Sequence, residues 1–157
     1  MSAFGLSVMV AAIVFSAGNT FSATPKEAAA IVHAVSVVTN AVQFYKDNGR
    51  VNALAEFNNP AGRFNFVELY IFAYDMDGTV IAEPRNKSLV GMHLLNLPDA
   101  EGKLYVKAIV DMATERGKGH VSYNFENPDT NGVEIRRIYF QRVDDVIICC
   151  VIPSATN

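Results

Sequence analysis

The chain has 157 residues, half of them hydrophobic, and 13 basic against 16 acidic side chains for a net charge of −3. That is enough for one domain with a real core and too little for two, and a mean hydropathy of +0.17 excludes a disordered or fibrous chain. The acidic balance lacks the basic stripe of a nucleic-acid binder, and two adjacent cysteines with three scattered histidines exclude a disulfide framework and a structural zinc site.

No Asp, Glu, Lys or Arg precedes Lys26. Residues Ala3 to Ala17 are apolar and small, and Gly18-Asn19-Thr20 follows them. This run is short of the roughly 20 apolar residues a spanning helix needs, so residues 1–22 are expected to be a secretory signal peptide, with an uncleaved N-terminal anchor as the alternative. Residues 23–157 are then one exported domain, periplasmic or secreted.

Thr24-Pro25-Lys26-Glu27 is a capping box that predicts a helix start. Ala28, Ile31, Val35, Val38, Val42 and Tyr45 recur at three- and four-residue spacing as one apolar stripe, with Gly49 as C-cap. A short second helix is expected over about Val51 to Phe57. Leu69 to Asp75 and Thr79 to Ala82 are strand-like runs around Asp77-Gly78, a strong hairpin signal. Residues 84–102 carry Pro, Gly and Asn punctuation and are expected to form a long, partly ordered loop. Leu104 to Arg116 is an amphipathic helix with Leu104, Ala108, Ile109 and Met112 inward, closed by Gly117. Three strands follow at about 120–125, 134–142 and 145–152, the first two joined by a loop over Asn127 to Gly132. The order predicts an α+β domain with an antiparallel sheet.

Asp75-Met-Asp77-Gly-Thr79 resembles the first motif of haloacid-dehalogenase-type phosphatases, in which the two Asp serve as nucleophile and general acid near Mg²⁺. That fold needs a crossover helix after the motif, whereas Thr79 to Ala82 continues as a strand. A hairpin turn is the simpler expectation.

Several blocks in order resemble the single Cache domain family, the extracytoplasmic sensor module of bacterial chemoreceptors and sensor kinases. They are Ala41 to Lys46, Ala53 to Pro60, Leu69 to Val80, Leu89 to Gly91, Gly102 to Lys107, Val121-x-Tyr123, Asn127-Pro128 and Arg142 to Asp145. Together they span about residues 25–152. The resemblance implies a long N-terminal helix packed on a five-stranded antiparallel, PAS-like sheet. It further implies a non-catalytic site for a small organic acid such as acetate, propionate, pyruvate or lactate, with no cofactor and no metal. Signal would pass to a separate membrane receptor or kinase, and a homodimer is an option. The chain departs from the family pattern at Glu83 (usually His before Pro), His93 (Asn), His120 and Phe125 (Trp) and Arg136 (Lys). The same fold without a ligand, as an interaction protein, is the rival reading.

Candidate ligand contacts are Tyr70, Phe72, His93, His120, Tyr123, Arg136 and Tyr139. Arg136 can hold a carboxylate through its guanidinium fork, or pair with Glu134 at the rim. His93 and His120 can donate to a ligand or simply be solvated. Tyr123 and Tyr139 offer an aromatic wall with a hydroxyl, or plain core packing. Tyr70, Phe72 and Tyr74 alternate onto one sheet face, either pocket or helix interface. Cys149 and Cys150 should point to opposite faces, one buried and one accessible. A chain beginning at Ala23 is expected to be soluble and to melt cooperatively by circular dichroism; aggregation would place the apolar segment in the core.

Overall fold

In the computed structural model, residues 24–152 are described; the proposed signal or anchor segment, residues 1–22, lies outside them. Helix α1 runs Pro25–Phe57 and starts as the capping box dictates. The Glu27 amide donates to Thr24 Oγ1 at 3.2 Å, and the Thr24 amide donates to Glu27 Oε2 at 2.8 Å. Gly49 leaves helical geometry at φ 78°, but the helix resumes at once, so the expected short second helix is a continuation of α1 past a break. Its buried seam is Ala34, Val37, Val38, Ala41, Val42 and Tyr45, whereas Ala28 is exposed.

Strands β1 (Ile71–Asp75), β2 (Val80–Ala82), β3 (Lys118–Asn127), β4 (Gly132–Val143) and β5 (Val146–Ile152) form one antiparallel sheet in the order β2-β1-β5-β4-β3. Helix α2 (Tyr105–Arg116) precedes β3. It buries Val106, Ile109 and Ala113; Leu104 is the N-cap and stays exposed, while Ala108 and Met112 are only partly buried. The expected inward set is therefore corrected: Val106 and Ala113 join Ile109 in the core, Ala108 and Met112 pack at its margin, and Leu104 caps the helix outside it.

Alternation along the strands gives the sheet two apolar faces. Ile71, Ala73, Ile148 and Cys150 pack under α1, with Phe57 and Phe64 closing that core. Phe72, Tyr74, Ile138, Phe140, Ile147 and Cys149 pack on the other side with α2. Cys149 and Cys150 thus do face opposite ways, but both are fully buried, which corrects the expected accessible one. Burial pushes both thiols up, that of Cys150 to about 12.

The connection from β2 to α2 contains a short 3₁₀ turn, Lys87–Leu89. Its first part lies along β2: the Gly91 amide donates to Val80 O at 2.8 Å, and the Val80 amide to Met92 O at 2.9 Å. Its last part lies along β3. There Asp99 Oδ2 accepts from the Asn124 amide at 2.8 Å, the Ala100 amide donates to Asn124 O at 3.3 Å, and Lys103 Nζ donates to Ser122 O.

The Asp75–Thr79 stretch is a hairpin turn. The Asp75 amide donates to Thr79 O at 2.9 Å, and Asp75 Oδ1 accepts from the Asp77 and Thr79 amides at 2.9 and 2.8 Å. Gly78 sits at φ 78°, and a Cβ there would lie 3.0 Å from Leu95 Cβ. Both the backbone conformation and the contact exclude a side chain. Gly78→Ala is expected to destabilise the domain by about 1–3 kcal/mol in denaturant unfolding; an unchanged midpoint would contradict the turn's role.

Candidate ligand-binding site

The face of the sheet opposite α1 is not fully covered. Between it, the β2–α2 connection and the start of α2 lies an open cavity of about 470 Å³. Aromatic side chains make its floor because the odd-even pattern of β1 aims Tyr70, Phe72 and Tyr74 the same way. Their rings step along the strand, Tyr70–Phe72 tilted at 46° with centroids 5.9 Å apart and Phe72–Tyr74 edge to face at 5.6 Å. Tyr123 of β3 stacks on Tyr105 of α2 at 4.6 Å and 18°. Burial pushes the hydroxyls of Tyr70 and Tyr105 up to about 12 and those of Tyr74 and Tyr123 upward as well. At Tyr123 the neighbouring Arg136 charge opposes that rise.

Two cations reach this cavity, and they are differently engaged. Arg85 lies over the Tyr70 ring at 4.1 Å. Its Nε donates to Asn65 Oδ1 at 2.9 Å, and its Nη2 to the carbonyls of Phe66 and Val67. Arg136 lies 3.4 Å from the centroid of the Phe125 ring and touches Glu134 Oε2 at 3.4 Å through Nη2. Glu134 in turn accepts from Asn127 Nδ2 at 2.6 Å. Arg136 also hydrogen-bonds the Tyr123 hydroxyl; a guanidinium carries five N–H donors, so these two contacts still leave it donors for an anion. The rim pair and the cavity position, which the sequence offers as alternatives, occur together.

Of the seven sequence candidates, Tyr70, Phe72, Tyr123 and Arg136 line the cavity. His93, His120 and Tyr139 do not, and parity explains two of them. Tyr139 is three residues from Arg136 on one strand, an odd offset that turns it to the α1 face, where it packs on the helix-side core. His120 pairs directly with Tyr139 across β3 and β4 and so shares that wrong face. His93 is exposed and bridges Thr79 at the outer edge of β2.

The residues this reasoning missed are Arg85 and above all Glu83. Glu83 is the one buried charged side chain among the described residues, 5% exposed. Its amide donates to Asn58 Oδ1 at 3.0 Å, while Asn58 Nδ2 donates to Ile81 O at 3.1 Å and Leu54 O at 3.0 Å. The end of α1 therefore clamps the end of β2, where Glu83 lines the cavity. Glu83 Oε1 accepts from the Arg85 amide at 3.0 Å. Burial raises its pKa, opposed by the backbone amides of Arg85 and Asn86 and by the Arg85 charge. The signal was in the sequence as Glu83-Pro84 at the departure from the family's His-Pro.

An antiparallel sheet with a long helix on one face and a loop-roofed aromatic cavity on the other defines the class: a PAS-like sensor domain. The chain belongs to the single Cache domain 2 family, whose model matches residues 8–151. That family is one of extracytoplasmic sensor domains. Solved structures agree on the fold. A methyl-accepting chemotaxis protein from Vibrio parahaemolyticus RIMD 2210633 superposes with a TM-score of 0.65 at 22% identity, covering 80% of this chain and 89% of that one. A periplasmic sensor domain of a chemotaxis protein gives 0.60 at 20% identity over 82% and 92%. A structure described as the basis for carboxylic acid recognition by a Cache chemosensory domain gives 0.58 at 18% identity over 82% and 90%. No curated protein matches the sequence.

A carboxyl whose pKa rises on folding costs stability once ionised; the cost is absent below the ordinary carboxylate range and grows as pH rises through the raised value. Glu83→Gln keeps an acceptor for the Arg85 amide. It is expected to melt above the wild type at pH 7 and level with it near pH 4, as read by thermal unfolding across that range. An equal difference at both ends would exclude ionisation as the cause.

Proposed function

We propose that this chain is a periplasmic or secreted sensor domain that binds a small organic acid without converting it and reports occupancy to a membrane receptor or kinase. The observation that carries this reading is Arg136: a permanently charged fork with donors to spare beyond Glu134 and Tyr123, in a cavity floored by aromatic rings. A pocket with an apolar wall and a few fixed polar groups is the usual form of a small-molecule site. A likeness in fold to a domain described by carboxylic acid recognition supports the same ligand class. Side chains filling the cavity would favour the interaction-protein reading, and its 470 Å³ stands open instead. The carboxylate of Asp75, which a phosphatase would need as nucleophile, is committed to two turn amides.

The strand geometry supplies its own control. Arg137 neighbours Arg136 but faces the other side of β4. A hydrogen bond to a charged group is worth roughly 1.5–3 kcal/mol. Arg136→Ala is therefore expected to weaken binding of the best acid from a thermal-shift screen about 10- to 100-fold in isothermal titration. Arg137→Ala should leave it within about twofold. A larger loss in Arg137→Ala, or no thermal shift with any acid, would overturn the reading.

A further inference from the structure

The charges around the cavity do not suit a plain monocarboxylate. Three carboxyls, Glu68, Glu83 and Glu134, face two guanidiniums, Arg85 and Arg136. Glu134 has Arg136, and Glu68 is exposed at the mouth. Glu83 is different. It is buried, it lines the cavity, and it takes part in none of the ion pairs among the described residues. The neighbouring Arg85 offers it a backbone amide, while the Arg85 guanidinium is turned to Asn65 and the carbonyls of Phe66 and Val67. The Arg85 and Asn86 amides and the Arg85 charge offset part of the cost of burying this carboxyl, and a cation paired to it by the ligand would offset more.

The surroundings favour such a group. Tyr70 lines the same cavity as Glu83 and Arg136, and the charges of Glu83, Arg85 and Arg136 all act on its hydroxyl. An ammonium in this cavity would meet aromatic side chains, which attract cations, although the Tyr70 face already carries Arg85. Arg136, which lines the same cavity, remains to take a carboxylate. A monocarboxylate alone would add negative charge to a cavity already rich in carboxyls, whereas a zwitterion adds none.

We propose that the ligand carries a protonated amine as well as a carboxylate, with the amine on Glu83 and the carboxylate on Arg136, so that the domain reads amino acids in preference to simple acids. This rests on the reading of the cavity as an organic-acid site. The aromatic floor and the size of the cavity admit an apolar side chain in addition to the two charged groups.

The test is isothermal titration of the folded domain with matched pairs: alanine and β-alanine against propanoate, γ-aminobutyrate against butanoate, phenylalanine against 3-phenylpropanoate. At least one amino acid is expected to bind tenfold or more tighter than its des-amino partner. Glu83→Gln should abolish that preference while keeping the affinity for the des-amino acid, and Arg136→Ala should weaken both. If every des-amino acid binds as tightly as its partner, the amine assignment falls and the organic-acid site stands. A preference that survives in Glu83→Gln, shown folded by circular dichroism, also overturns the assignment. If neither class binds, the organic-acid reading itself fails and takes the inference with it. The wild-type pairs decide the question even where the Glu83 variant does not fold.

Discussion

The structure depends on strand β5 being buried on both faces. It is flanked by β1 and β4 and carries Ile148 and Cys150 toward α1 and Ile147 and Cys149 toward the cavity side. A strand with apolar residues at every position has no solvent face, so each side of the sheet must be covered by something. On one side a single long helix does it. On the other, α2 covers only the end of the sheet near β3 and β4, and the remaining area is roofed by an irregular connection. The cavity lies where α2 gives way to that irregular connection, whose Leu89 and Leu94 line it.

That division explains what was legible in the sequence. Elements with a local signal were found at their places: the capping box at Thr24, the Asp77-Gly78 turn, and the three C-terminal strands. Periodicity also grouped Tyr70, Phe72 and Tyr74 on one face. It could not say which face, because alternation fixes the grouping of side chains and leaves the choice of side to tertiary packing. Arg136, Tyr139 and His120 come from positions of the family pattern, which does not show that the odd spacing of Arg136 and Tyr139 separates them and that His120 pairs with Tyr139.

Glu83 was harder to read for another reason. The segment after β2 has neither a period of two nor one of 3.6, and its shape is set by contacts from far away in the chain. Asn58, 25 residues upstream, holds the Glu83 amide. The burial of that carboxyl is a property of the closed domain, and local sequence carries no trace of it. What the sequence did carry was a residue type at odds with its family pattern, which is where a binding site tuned to a different ligand would differ.

The connection between β2 and α2 has a second consequence. Its two ends occupy the amide and carbonyl of Val80 on β2 and, on β3, the carbonyl of Ser122 and the amide and carbonyl of Asn124; β2 and β3 are the first and last strands of the sheet. Unpaired margins of this kind are templates on which another chain can add a strand and start a polymer. Here the roof of the pocket doubles as the sheet's selvedge: one stretch of chain, anchored on both sides, both encloses the cavity and keeps the sheet from being extended by its neighbours.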